Sequence, residues 1–156
     1  MERWMVVGAV AAVVAVVGAG MGYTYYADVS AIRDSTVLLE HVRLTSLGLT
    51  QATLGMEVTV SNSASRDISA LAISFDILLA DDVVGNGSFS QLSVPAHGQR
   101  TRDLNITVYF TQLSAAIIAA LQQGQFVVVL RGMVEGRVLF GLTTVSQSFS
   151  TAYAFP

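Results

Sequence analysis

The sequence predicts a mainly β protein, an antiparallel β-sandwich with one short late helix, preceded by a single transmembrane α-helix. Three observations carry this reading. The stretch Trp4 to Tyr26 holds no charged residue. From Val37 onward, runs alternating between apolar and polar residues recur between clusters of turn formers. Only Thr111 to Gly124 departs from that alternation, taking up a helical period. Of the 156 residues, about 130 lie outside the apolar stretch, room for one compact domain with a real core.

The first element is residues 4–26. About 20 apolar residues at roughly 1.5 Å rise each are enough to cross the hydrocarbon of a bilayer. Trp4 at one end and Tyr23, Tyr25 and Tyr26 at the other are the side chains that favour the headgroup layer. Arg3 and the α-amino group, offset by Glu2, precede the span, and Asp28, Arg33 and Asp34 follow it. The positive-inside rule then favours a cytoplasmic N-terminus, residues 1–3, and an extracytoplasmic domain at the cell membrane. Gly8 with Ala12, Ala15 with Ala19, and Gly18 with Gly22 place small residues four apart, the spacing that lets two helices approach closely. The same spacing is nearly unavoidable in a segment built of Gly, Ala and Val.

Other readings of this segment stay open. A cleaved signal peptide has a shorter apolar core, about 7 to 15 residues, yet Gly18-Ala19-Gly20 has the form of a small-x-small cleavage site. A buried helix of a soluble protein would be amphipathic, whereas this one is apolar on all faces. In a filament core of the archaeal pilin or archaellin kind, such a helix packs against its own copies. Against that reading, only residues 1–3 form a leader and the helix signal stops by Tyr26.

Residues 27–35 read as a short polar connection holding the domain near the membrane, and residues 36–150 as the sandwich. A first strand starts at Val37, with Val42 and Leu44 alternating against Arg43 and Thr45, and Gly48 to Ala52 forms a turn. The clearest alternation follows, Leu54, Met56, Val58 and Val60 against Gly55, Glu57, Thr59 and Ser61. Ser61 to Asp67 is a turn cluster. A third strand sets Leu71, Ile73, Phe75, Ile77 and Leu79 on one face. After the Asp81-Asp82 turn, Val83 to Ser93 is a weaker strand whose Gly85 and Gly87 suggest a bulge or an edge position. Val94 to Gly98 is a turn, and Arg102 to Thr111 alternates again. Thr111 as N-cap and Gly124 as C-terminal αL residue bound one short helix. Phe126 to Leu130 reads as a strand buried on both faces, continuing to a Glu135-Gly136 turn. Arg137 to Phe149 is the last long strand. The tail, 151–156, retains Tyr153 and Phe155 and would add to a sheet edge, lie on the membrane, or pair with a neighbour.

Composition excludes several chemistries. The net charge is −3 and all eight cations are scattered Arg, so there is no basic footprint for nucleic acid. With no Cys there is no disulfide, thiolate ligand or thiol nucleophile. His41 and His97 lack metal-ligand spacing. Asp81-Asp82 with Asn86 falls short of a calcium loop. Gly85-x-Gly87 lacks the rest of a dinucleotide fingerprint, and no G-x-S-x-G occurs. No catalytic residue, metal ligand or cofactor is expected, and the chain reads as non-enzymatic. Asn86-Gly87-Ser88 and Asn105-Ile106-Thr107 fit the N-glycosylation sequon.

The order of features over Val37 to Phe149 resembles the water-stress and hypersensitive-response (WHy) domain of the late embryogenesis abundant, LEA_2-type, family. The shared pattern is a strand ending in V-x-V-x-N (Val58, Val60, Asn62), then V-x-x-G (Val84 to Gly87), V-P-A-x-G (Val94 to Gly98), a late helix, and an L-R-G-like strand (Leu130, Arg131, Gly132). Asn62-Ser63-Ala64 stands where the family commonly has Asn-Pro-Asn. The resemblance implies an immunoglobulin- or fibronectin-like sandwich, often behind one N-terminal span, with a role in desiccation or other stress, as a protective or binding module. It brings no catalytic residues. The expected partners are the lipid bilayer and, through the span or an edge strand, a second copy or another membrane or surface protein. The alternative is a structural subunit of an archaeal-type surface filament or sheath.

Overall fold

A computed structural model describes residues 2–155 of the chain, and the side-chain surroundings of residues 8–155. The first element, α1 (Glu2–Arg33), is one unbroken helix. From Gly8 through Tyr23 every residue is exposed, and the stretch Gly8–Arg33 is long and apolar enough to cross a membrane. An all-round apolar helix with no protein against it has its unfavourable surface in water, which a bilayer or a signal-sequence receptor would relieve.

Seven antiparallel strands follow: β1 (Thr36–Leu47), β2 (Gln51–Asn62), β3 (Ile68–Leu79), β4 (Asp82–Val94), β5 (Gly98–Tyr109), β6 (Phe126–Val138) and β7 (Thr143–Phe155). They form two sheets, ordered β1-β2-β5 and β4-β3-β6-β7. The fourth strand pairs with the third, instead of joining the fifth as in the constant-type immunoglobulin arrangement. The alternation is the cause of the layering. Leu54, Met56, Val58 and Val60 from one sheet meet Leu71, Ile73, Ile77, Leu79 and Leu130 from the other, all at most 1 % exposed. The edges of the two sheets come together at both sides. The Leu39 N–H donates to Thr151 Oγ1 at 3.2 Å across β1 and β7, and a Cβ at Gly87 of β4 would lie 3.4 Å from Leu104 of β5.

Several expectations need correction. The short polar connection expected over residues 27–35 is instead helical over 27–33 and partly core: Val29, Ala31 and Ile32 are buried. The helix signal therefore continues past Tyr26, because apolar residues at helical spacing turn inward there. β6 is not buried on both faces. Phe126, Val128, Leu130, Val134 and Val138 point inward while Val127 is 47 % exposed, because none of the described residues covers it on the outer face of the four-stranded sheet. β6 also runs through Glu135-Gly136 to Val138, so the turn falls at Leu139 to Leu142 and β7 begins at Thr143. Of the three placements open to the tail, the structure has the sheet edge: up to Phe155 it belongs to β7, with the Phe155 ring stacked on Phe126 at 4.8 Å. β5 starts at Gly98 rather than at Arg102.

The late helix, α2 (Ala115–Gln123), is present, but its N-cap is Ser114, not Thr111. Phe110 to Gln112 forms a 3-10 turn. The Ser114 hydroxyl then accepts from the Ile117 N–H, and Gly124 closes the helix at φ 66°. Gly85 and Gly87 do mark an edge strand with a bulge, the register shifting between Ile77 and Leu78.

Candidate functional site

A group of polar side chains is gathered where α1 enters the sandwich. Asp28, in the last turns of α1, accepts from the Arg66 guanidinium at 2.5 Å. Its second oxygen accepts from the Leu139 N–H at 2.9 Å. One carboxylate thus holds the β2–β3 loop and the β6–β7 loop to the helix. Ile32, 2 % exposed, enters the core below it and packs against Gly136, where a Cβ would collide with its side chain. The Ser35 hydroxyl donates to the Ile32 carbonyl at 2.6 Å and ends the helix. A cleft of about 330 Å³ beside this junction is lined by Asp28, Ala31, Arg66, Arg137, Phe140 and Gly141.

Two of the motifs singled out in the sequence meet at this same end. Asn62, 2 % exposed, donates through Nδ2 to the carbonyls of Arg66 at 2.7 Å, Pro95 at 3.2 Å and Val94 at 3.4 Å. Its Oδ1 accepts from the Ala64 N–H at 3.0 Å. The Asn that ends β2 therefore ties the β2–β3 loop to the V-P-A-x-G turn. Asp67 adds a bond from the Ala96 N–H at 2.7 Å. The other two motifs meet on Phe75: Gly87 of β4 and Gly132 of β6 both pair with it. A Cβ at Gly87 would lie 2.6 Å from the Phe75 ring, and one at Gly132 would meet the Ser74 carbonyl and the Phe75 backbone. These glycines let an aromatic ring and a strand come close.

The predicted interfacial residues Tyr23, Tyr25 and Tyr26 are 72 %, 44 % and 70 % exposed. Trp4 lies in α1, but its side chain falls outside the described residues. Gly8, Ala12, Gly18 and Gly22 are exposed, and at about 100° per residue they fall within roughly a third of the helix circumference. Asn86 and Asn105 lie exposed in β4 and β5. His41 pairs with Glu57 at 3.2 Å on the surface of the three-stranded sheet, and His97 sits in the β4–β5 turn at φ 50°. Among the described residues no three acidic or His side chains cluster as metal ligands.

Asp28, Arg66 and the β6–β7 loop had no role assigned from sequence. Asp28 had a signal, being an acid inside an otherwise apolar helical run whose later residues Val29 and Ile32 turn inward.

Replacing Asp28 by Asn keeps an acceptor for the Leu139 N–H but removes the ion pair. With Arg66 39 % exposed, the expected cost is only about 1 kcal/mol. Asp28→Leu removes both bonds, and the Leu139 amide should then exchange its hydrogen markedly faster than in Asp28→Asn. Equal exchange in the two variants would show that the carboxylate does not hold the loop.

The sequence matches no protein-family model and no curated protein. Among solved structures, it is similar to the solution structure of an Arabidopsis thaliana protein. That match has 19 % identity and a TM-score of 0.53, over 76 % of this chain and 80 % of the other. This likeness bears on the fold alone. A candidate late embryogenesis abundant protein matches at 16 % identity and TM-score 0.45 over 97 % and 88 % of the two chains. A family 2 β-glucuronidase matches at 10 % and 0.46, over 72 % of this chain and 12 % of the enzyme.

Proposed function

We propose that this chain is a single-pass, membrane-anchored protein displaying a non-enzymatic, extracytoplasmic LEA_2-like β-sandwich that serves as a stress-protective or binding module. The observation that carries the reading is α1: exposed and apolar along its outer part, yet running without a linker into the core through Val29, Ala31 and Ile32. An apolar rod built into a sandwich is suited to anchoring, and the stretch Gly8–Arg33 is long enough to cross a bilayer. The motif sequence supports the family reading, and the uses found for Asn62, Gly87 and Gly132 are structural.

Intact mass and negative-stain microscopy of the same purified sample test this. The expected result is a chain retaining residues 1–26, released from membranes only by detergent as small particles.

A specific observation also favours the filament reading. The helix does run on beyond Tyr26, to Arg33, as a packed filament core would require. Regular fibres of a chain shortened at its N-terminus would replace the anchored module with the filament subunit.

A further inference from the structure

The β6–β7 loop is built against the usual preferences. Leu139 and Phe140, at φ 52° and 57°, occupy positive φ, a region that bulky residues enter at a cost, and Gly141 follows at 84°. The Gly141 N–H donates to the Val138 carbonyl at 3.2 Å, so Leu139 and Phe140 are the two central residues of a tight turn. Positive φ at both is the signature of a type I′ turn, where Asn and Gly are preferred. Two large apolar residues stand there instead. Moreover, Phe140 is 81 % and Leu142 73 % exposed, so neither contributes to the core.

Position explains them. The Leu139 N–H is bonded to Asp28, which fixes the loop at the level of that residue on α1. Tyr25 and Tyr26 lie three and two residues earlier, about 3 to 4.5 Å along the helix axis. The apolar loop therefore lies within one helical turn of the exposed tyrosines. Arg137 beside it is exposed and makes no ion pair among the described residues, leaving a free guanidinium where lipid phosphates would be. By contrast Arg66, which faces the same cleft, is neutralised by Asp28.

We propose that the Leu139 to Leu142 loop is a second membrane contact. Phe140 and Leu142 enter the boundary between headgroups and acyl chains, Arg137 meets phosphate, and the sandwich is seated on the bilayer instead of merely tethered to it. The proposal rests on the anchor reading of α1 and adds to it a lipid-binding surface on the folded domain.

The chain has no Cys, so single cysteines can carry nitroxide labels in the full-length protein. It would be placed in phosphatidylcholine vesicles containing phosphatidylglycerol. Labels go at Val14→Cys in the outer helix, at Leu142→Cys, and at Leu49→Cys in the β1–β2 loop, which is 99 % exposed. Accessibility to oxygen and to a water-soluble nickel complex then reports depth. The expected result is a Leu142 label about 5 Å inside the headgroup boundary, the shallow end of the range for interfacial apolar groups, with the Leu49 label in water. Adding Phe140→Ser should return the Leu142 label towards water. A Leu142 label as accessible to nickel as the Leu49 label, with the Val14 label deep in the bilayer, would overturn the loop contact and leave the anchor standing. A Val14 label in water would overturn both.

Discussion

Gly132→Ala is expected to be among the most destabilising single changes in this chain. The added methyl group would meet the Ser74 carbonyl oxygen and the Cα of Phe75, which are backbone atoms in the middle of β3. A side chain can rotate away from such a contact, but a strand in the interior of a sheet can yield only by breaking its ladder. The residues on either side are core pairs, Ile73 with Val134 and Ile77 with Leu130, so separating the strands at Gly132 also loosens them. Overpacking a core costs about 1 to 3 kcal/mol, and a collision with backbone belongs at the upper end. For a domain of this size about 3 kcal/mol lowers Tm by roughly 12 °C. Gly85→Ala is the control, since its methyl group would meet the Ile77 side chain at an ordinary 3.7 Å. Thermal melts of the two variants should differ by most of that shift. Coincident melts would mean that β3 and β6 do not approach so closely at Gly132.

The second large effect is expected at Asn62, where the choice of substitution separates hydrogen bonding from volume. Asn62→Ala removes the donor for the Arg66, Val94 and Pro95 carbonyls and the acceptor for Ala64. Losing that set at a site 2 % exposed should cost about 2 to 3 kcal/mol. Asn62→Asp keeps the shape but turns the donor into a carboxylate oxygen facing three carbonyls, so at neutral pH it should cost about 3 to 5 kcal/mol. The two variants should also differ in their response to pH. Once protonated, the introduced carboxyl can donate to one of those carbonyls, so the folded state would hold its proton more tightly than the unfolded chain. Stability of the Asn62→Asp variant then rises as pH falls towards the ordinary carboxylate range, relative to Asn62→Ala. Chemical denaturation at neutral and acidic pH measures this. An Asn62→Asp variant as stable as the parent at neutral pH would show that the amide is not the clasp between the two loops.

These two residues also show how far the chain could be read before folding. Alternation in β2 and β3 is strict, so their inward faces were legible residue by residue. Asn62, Val94 to Gly98, Gly87 and Gly132 were legible as motifs, but their reason was not. It lies in contacts between residues distant in the chain, with Asn62 reaching Val94 and Pro95, and Gly87 and Gly132 closing on one phenylalanine. The misplaced elements share one physical cause. Glu135-Gly136 looks like a turn because glycine and an acid commonly form one, whereas Gly136 lies within β6 to make room for Ile32. The real turn is made of Leu139 and Phe140, whose composition gives no turn signal. In the same way Ala27 to Ser35 looked like a polar connection because Asp28, Arg33 and Asp34 dominate its composition. The apolar residues between them decide its conformation. The junction was thus the least legible part of the chain, and the proposed lipid contact lies there.

A helix of 32 residues is about 48 Å long, and the last turns of this one are packed into the sandwich through Val29, Ala31 and Ile32. In the anchored arrangement proposed above, a bilayer that thins or thickens makes the spanning helix change its tilt, and through Ile32 and Asp28 that change would be passed to the sandwich and set against the loop contact at Phe140 and Leu142. The angle at which the domain presents its surfaces to the surroundings would then follow the mechanical state of the membrane beneath it.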